Sequence, residues 1–159
     1  MLNKIRTNDR LKMTFEFSDT WVLSSIKFSE NGDQGTTLTD IIQMADGINH
    51  LMLDYQEFTT ATKKLKSIGL IIEKDRRFKT TDTFNKWWNE KYEGKSRFGI
   101  HKAMDEIQKY LDKTFGTVDS QPTDIKTEFT EKDFHRSTKE YHKMASGIKK
   151  KLTTKKKRE

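Results

Sequence analysis

The sequence predicts a mainly α-helical domain of the α+β class, in which a small β-hairpin or sheet accompanies the helices. Apolar residues recur at helical spacing through most of the chain. A β-rich run at residues 70–72 and a second short strand at 78–80 flank a charged turn, and this order is typical of a hairpin. Single glycines such as Gly69 follow apolar stripes and are typical of helix ends. With 159 residues, the chain has room for one domain with appended helices.

The N-terminal residues 1–17 are expected to be extended. Apolar and polar residues alternate over 11–17, and this period of two predicts a strand buried on one face. Four apolar residues share that face: Leu11, Met13, Phe15 and Phe17. Ser18 or Asp19 can then cap a helix over about residues 20–30.

The next two helices begin at capping sequences. Thr37 with Asp40, and Asp54 with Glu57, have the spacing at which a side chain at a helix start bonds the backbone three residues later. Apolar residues then repeat at helical spacing in both segments. Gly69 is placed to end the second of these helices in a left-handed turn.

A helix-turn-helix followed by a β-hairpin is the layout of a winged helix. The hairpin consists of the strands at 70–72 and 78–80 and the turn at 73–77. Asp82 can cap a further helix over about 83–93. We therefore predict a winged helix-turn-helix domain over residues 18–93. This layout places one helix and one hairpin side by side, in the geometry used to enter a DNA groove.

Parts of this segment resemble winged-helix regulators of the MarR/PadR kind. The likeness is carried by Leu65, Gly69-Leu70-Ile71 and Phe78-Lys79-Thr80-Thr81. In those regulators a helix ends in Leu-x-x-x-Gly-Leu-Ile, and the second wing strand finishes in Leu-Thr or a near equivalent. The resemblance spans about residues 38–93 and implies a winged-helix fold.

A closer resemblance is to small bacterial proteins of no assigned function. They share a segment like Asp46-Gly47-Ile48-Asn49-His50 and a helix start like Tyr55-Gln56-Glu57-Phe58. A late helix in them also carries a Tyr-His pair like Tyr141-His142. This resemblance implies the same fold and brings no activity with it.

Residues 94–146 are predicted to form a helical extension. Residues 97–113 have the cleanest helical periodicity in the chain. After a loop over 117–129, Thr130 and Asp133 can cap another helix. Long helices beside a winged helix often form a two-fold dimer, so 97–113 and 131–146 are the candidates for a homodimer interface.

The positive charge is concentrated at the C-terminus. Residues 143–159 contain eight Lys or Arg and one Glu, which accounts for the whole net charge of +7. We expect residues 147–159 to be a disordered basic tail. Such a tail can bind phosphates without base selectivity, or can serve only to keep the chain in solution.

The predicted DNA-binding surface combines one helix and the hairpin turn. If 55–68 is helical with its apolar stripe inward, its polar residues point outward: Gln56, Thr59, Thr60, Lys63, Lys64 and Ser67. The hairpin turn adds four cations: Lys74, Arg76, Arg77 and Lys79. Gln can read adenine, Thr can contact a phosphate or a thymine methyl group, and Lys and Arg neutralise phosphates. The sequence therefore predicts a protein that binds double-stranded DNA, with a transcriptional regulator as one such role.

An alternative interpretation uses the same fold without DNA. The outward positions of any helix in water are polar, and winged helices also serve as protein-interaction or scaffold modules. That alternative predicts an apolar patch on the surface of the two helices at 38–68, or around Trp88.

Asp46, Asn49 and His50 form a polar cluster on one helix face. A metal pair or an acid–base pair is one interpretation, and an enzyme built around His50 would use it. The structural interpretation is favoured, because these residues end a helix just before a tight turn. There Asn49 or His50 can bond loose backbone groups while Asp46 orients the imidazole.

Composition and motifs exclude several classes of protein. The chain has no cysteine, so it forms no disulfide or thiolate metal site. It contains no phosphate-binding loop, dinucleotide fingerprint, zinc-protease motif or nucleophile elbow. No apolar stretch approaches the ~20 residues that a membrane helix needs, and no secretory signal is visible. We expect a cytoplasmic protein that is not an enzyme and that uses no cofactor or metal.

Overall fold

The computed structural model describes residues 13–95, 98–117 and 125–156, and helices account for most of them. In chain order the elements are α1 (Phe17–Ser29), a 3₁₀ helix (Gly32–Gln34), β1 (Thr36–Thr37), α2 (Leu38–Asn49), α3 (Tyr55–Ser67), β2 (Ile71–Lys74), β3 (Arg77–Thr80), α4 (Asp82–Tyr92), α5 (Ile100–Phe115) and α6 (Glu131–Lys156). The predicted mainly α-helical, α+β class is confirmed.

The strands form one antiparallel sheet in the order β1-β3-β2. β2 and β3 make the predicted hairpin, in which Lys74 lies opposite Arg77. β1 pairs with the other edge of β3 and brings Thr36 opposite Phe78. β1 was not predicted from the sequence, because two residues are too few to show the alternation of a strand.

The predicted start signals of α2 and α3 are confirmed. The Thr37 hydroxyl oxygen accepts the backbone N–H of Asp40 at 3.2 Å. Asp54 and Glu57 each accept the other's backbone N–H in a capping box. Gly69 follows α3 with φ +73°, the left-handed conformation that glycine adopts without strain.

α1 lies at the centre of the fold. It packs against α2, α3 and α5, and every residue from Asp19 to Ile26 is buried. A helix that is covered on all sides must pair its polar groups internally. Accordingly, the hydroxyls of Ser24 and Ser25 donate to carbonyls one turn earlier, and Trp21 Nε1 donates to the Ala45 carbonyl at 3.0 Å.

The predicted strand over 11–17 is wrong where the structure describes that segment. Residues 13–16 have no regular structure, and α1 begins at Phe17. Glu16 is the N-cap residue, and its backbone N–H donates to Asp19 Oδ2 at 2.8 Å. A strand needs a neighbour for its backbone groups, and no described strand pairs with this segment. Residues 1–12 lie outside the described part of the chain.

The predicted C-terminal helices are confirmed as α5 and α6. α5 packs on α1 with an apolar stripe: Ala103, Met104, Ile107 and Leu111. α6 begins at the predicted cap, where Thr130 and Asp133 each bond the other's backbone N–H. α6 then packs against α2, and its buried Phe134 reaches the core.

The predicted disorder over 147–159 is wrong as far as Lys156, because α6 continues to that residue. Lysine is a good helix former, and a helix that has already begun extends at little cost. The 26 residues of α6 correspond to about 39 Å at the usual rise per residue. Residues 157–159 lie outside the described range.

Candidate nucleic-acid interface

The outer face of α3 carries one row of polar side chains. Because Phe58, Ala61 and Leu65 are fully buried, the positions on the opposite side of the helix face outward. Four of the predicted residues occupy that row: Gln56, Thr60, Lys63 and Ser67. Gln56 and Thr60 are exposed, whereas the Ser67 hydroxyl donates to the Lys64 carbonyl at 2.6 Å. The row therefore offers an amide, a hydroxyl and a single cation.

Lys64 does not point outward as predicted. Its Nζ lies 2.7 Å from Oδ2 of Asp19 and 2.9 Å from the carbonyl oxygen of Thr14. The side chain of Asp19 is only 1% exposed, so its carboxylate depends on this ammonium group for charge balance. Lys64 thus joins α3 to the start of α1 and is unavailable as a free phosphate-binding cation.

Lys66 extends from the other flank of α3. Two residues along a helix correspond to about 200°, so Lys64 and Lys66 point in nearly opposite directions. Lys66 Nζ bonds the carboxylate of Glu73 in β2 and lies 3.4 Å from the carbonyl oxygen of Lys126. The outer row of α3 is therefore bounded by α1 on one side and by the 125–130 segment on the other. This role was not predicted from the sequence, in which Glu73 falls in the charged turn at 73–77.

Thr59 also departs from the predicted outward set. Thr59 is half-buried as a whole, and its Oγ1 atom is buried without a hydrogen-bond partner among the described residues. The hydroxyl is therefore turned toward the protein and does not point into solvent.

The outer face of the β2–β3 hairpin carries three predicted cations. Paired residues of an antiparallel ladder share a face, so Lys74 and Arg77 lie together, as do Ile72 and Lys79. Lys74 and Arg77 are exposed, and Lys79 Nζ lies 3.6 Å from Oδ1 of Asp33. With the 3₁₀ helix, these side chains line a shallow cleft of about 270 Å³. This face is the most cationic part of the predicted surface.

The hairpin turn is tethered to the segment that precedes α6. Arg76 donates its backbone N–H to Oε2 of Glu128 at 3.0 Å. Its guanidinium Nη1 lies 3.8 Å from Oδ1 of Asp133, yet its side chain is 73% exposed. The backbone N–H of Thr130, followed by its hydroxyl, holds the pKa of Asp133 below its usual value, and Arg76 and Arg136 add to this effect. Arg76 is thus a cation on the surface with acidic neighbours.

The Asp46–Asn49–His50 cluster lies at the end of a helix, as the structural interpretation predicted, but Asp46 has a different partner from the predicted one. His50 ends α2 in the left-handed conformation, with φ +53°, and donates its backbone N–H to the Asp46 carbonyl at 2.7 Å. The Asp46 carboxylate accepts a hydrogen bond from the Tyr141 hydroxyl of α6, so it does not orient the imidazole. That hydrogen bond, followed by burial and the charge of Asp46, raises the pKa of Tyr141.

The chain matches no protein-family model, no curated protein and no solved structure. In residues 13–95, 98–117 and 125–156, no three His, Asp or Glu residues are grouped so that they could hold a metal ion. Within the same residues, no helix has the length and apolar character needed to span a membrane. The surface formed by α3 and the hairpin is therefore the candidate functional site.

Proposed function

We propose that the chain is a winged-helix protein that binds double-stranded DNA and acts in transcriptional regulation. The observation that carries the proposal is the order α1-β1-α2-α3-β2-β3, together with an antiparallel sheet ordered β1-β3-β2. In a winged helix with this order, α3 is the groove-reading helix and the β2–β3 hairpin is the wing. The MarR/PadR resemblance noted in residues 38–93 is consistent with it.

The surface chemistry supports two kinds of contact. Gln56 and Thr60, exposed on the outer row of α3, can contact base edges, and Lys63 can neutralise a phosphate. Lys74, Arg77 and Lys79 on the hairpin can bind the phosphate backbone. Lys64 and Thr59 take no part in the proposed surface, because their polar groups are directed into the protein. Binding should therefore depend more on the wing than on the helix.

The backbone of the wing tip gives separate support. Asp75 and Arg76 have φ +53° and +60°, in a two-residue turn where asparagine and glycine are strongly preferred. An arginine in this conformation is strained relative to glycine, and such strain is concentrated at functional sites. We infer that the charge of Arg76 contributes to DNA binding at the wing tip, and that its backbone conformation lowers the stability of the fold.

The lysine-rich end of α6 would add affinity without sequence specificity. Residues 143–159 hold all of the excess positive charge of the chain. Homodimer formation through 97–113 and 131–146 stays a prediction. Met144, which is 45% exposed, lies within the second of these segments and would contribute to such an interface.

Fluorescence anisotropy with a labelled duplex of random sequence, at two salt concentrations, tests the proposal. The substitutions Lys63→Glu and Arg77→Glu together should weaken binding by about 100-fold, because each reverses a cation at the proposed surface. The matched control carries Lys86→Glu and Lys102→Glu, which change the net charge equally at exposed positions of α4 and α5. The control should stay within about threefold of the unaltered chain. Equal losses in both variants would contradict a localised DNA surface.

A chain that ends at Ser146 separates the wing from the end of α6. It should retain binding that the Lys63→Glu and Arg77→Glu pair weakens, and its affinity should depend less steeply on salt. If the shortened chain binds no duplex at low salt, the lysine-rich end alone accounts for the affinity for DNA. The surface of α3 and the hairpin then does not bind DNA.

A protein-interaction module is the second candidate, favoured by exposed apolar side chains at two places. Leu51 and Met52, in the turn between α2 and α3, are 62% and 38% exposed. An apolar patch at this position is what the alternative interpretation predicted, and such patches mark contact sites on proteins. Phe98, which is 37% exposed, extends the aromatic cluster around Trp88 in the same sense. Absence of duplex binding by the full chain at low salt would leave this candidate as the better one.

A further inference from the structure

The second half of α6 carries apolar residues that nothing in the described part of the chain covers. Tyr141 is the last described residue of α6 that packs against the hydrophobic core, and its hydroxyl donates to the Asp46 carboxylate. From His142 to Ile148 no residue is buried. Met144 and Ile148 are 45% and 58% exposed, although both are apolar. This part of the helix therefore has an uncovered apolar surface.

These apolar residues form one stripe that continues the core-facing side of α6. At about 100° per residue, Met144 and Ile148 lie within about 60° of Tyr141 around the helix axis. Tyr141 faces α2, so Met144 and Ile148 extend the same face past this contact. A helix in water normally carries such a stripe where another surface buries it. The stripe therefore indicates a partner outside the described residues.

Positive charge accompanies the stripe. Residues 143–159 contain eight Lys or Arg and one Glu, so the segment that carries Met144 and Ile148 also holds the excess charge of the chain. Lys143 and Lys151 are exposed on α6, about 140° and about 60° from Ile148 around the helix axis. Lysines opposite and beside an apolar stripe make a basic amphipathic helix, which is typical of segments that bind a membrane surface.

The combination of charge and apolar surface favours one partner over two others. A DNA duplex would neutralise the lysines but leave Met144 and Ile148 in water. A second copy of the chain would cover the stripe but bring two lysine-rich helices of the same charge together. An anionic lipid surface satisfies both features, because its head groups attract the lysines and its acyl boundary accepts the apolar side chains.

We propose that the second half of α6, residues 142–156, binds the surface of an anionic lipid bilayer. The helix lies in the plane of the interface, with Met144 and Ile148 inserted at the boundary between head groups and acyl chains. Lys143 and Lys151 contact the head groups. This surface does not depend on the proposed DNA binding, and its test contains no DNA.

Co-sedimentation of the full chain with lipid vesicles tests the proposal. Vesicles of an equimolar mixture of phosphatidylcholine and phosphatidylglycerol should bind the chain at least about tenfold more tightly than vesicles of phosphatidylcholine alone. Added salt should weaken this binding, because it screens the attraction between the lysines and the head groups. Equal binding to the two kinds of vesicle, or binding to neither, would overturn the proposal.

Ile148→Gln tests the apolar stripe, with Ile100→Gln as its matched control. Ile100 is 40% exposed at the start of α5, and glutamine is a good helix former, so neither change should unfold the chain. Ile148→Gln should weaken binding to the anionic vesicles by at least about fivefold, and Ile100→Gln should leave it unchanged. Equal binding by both variants would show that the lysines act alone and would contradict insertion of the stripe.

Lys143→Glu with Lys151→Glu tests the charged side of the helix. The pair should weaken binding to the anionic vesicles by at least about tenfold, whereas the Lys86→Glu and Lys102→Glu control should stay within about threefold of the unaltered chain. Sedimentation equilibrium of the Ile148→Gln chain should show an unchanged oligomeric state. Dissociation of a dimer by Ile148→Gln, with vesicle binding intact, would assign the stripe to a second copy of the chain and overturn the proposal.

Discussion

Two neighbouring lysines of α3, alike in the sequence, have different physical roles. Lys64 neutralises the buried carboxylate of Asp19, whereas Lys63 lies on the outer row without a described ion pair. The difference follows from their directions on the helix, which are 100° apart. One lysine contributes to the stability of the fold, and the other is available for an external partner.

Lys64→Ala should therefore destabilise the protein by about 2–3 kcal/mol, because it leaves a buried carboxylate with a single backbone partner. Lys63→Ala should change the free energy of unfolding by less than about 0.5 kcal/mol. Chemical denaturation followed by circular dichroism measures both. Equal stabilities of the two variants would show that Asp19 does not need the ammonium group.

At the scale of elements, two glycines with similar backbone angles have different roles next to the sheet. Gly35 and Gly69 have φ +68° and +73°. A Cβ atom on Gly35 would lie 2.3 Å from the Phe78 carbonyl oxygen, whereas one on Gly69 would have no atom within 4 Å. Gly35 is thus required for the close approach of β1 to β3, and Gly69 only for the turn that ends α3.

Gly69→Ala should reduce stability by about 1–2 kcal/mol, the usual expense of a left-handed alanine. Gly35→Ala should reduce it by about 3–4 kcal/mol, because the strands must also separate. Thermal unfolding of the two variants compares these losses directly. A Gly35→Ala protein as stable as the Gly69→Ala protein would mean that β1 is not held against β3.

At the scale of the whole molecule, a side-chain hydrogen bond links the C-terminal helix to α2. The Tyr141 hydroxyl of α6 donates to the Asp46 carboxylate of α2, 95 positions earlier in the chain. The bond exists only while tyrosine is protonated, and it raises the pKa of Tyr141 above its ordinary value of 10.0. The stabilisation is therefore complete below pH 10.0 and is lost as pH rises through the folded-state pKa.

Tyr141→Phe should lower stability by about 1–2 kcal/mol at neutral pH, since Asp46 loses its partner. The difference from the unaltered chain should shrink at alkaline pH, where the tyrosine ionises. Asp46→Asn, which keeps an acceptor but removes the charge, should retain most of the stability. Urea titrations at neutral and alkaline pH measure these changes. A difference that stays constant with pH would contradict the proposed coupling.

Local signals in the sequence were sufficient for most elements of the fold. Caps such as Thr37 and Asp54, and the left-handed Gly69, act within three or four residues, so they are visible without tertiary information. The same is true of the hairpin and of the mainly helical class. The helical end of α6 was also accessible, because lysine favours helices, but its charge was interpreted as a sign of disorder.

The candidate site depended on contacts that no local pattern reveals. The sequence alone determined which polar residues α3 carries and that the hairpin is cationic. Only the tertiary structure decided that Lys64 and Lys66 turn to opposite flanks, that Arg76 contacts Glu128 and that residues 13–16 form no strand. Ion pairs and strand pairs join residues tens of positions apart, so their partners are fixed by packing and not by sequence spacing.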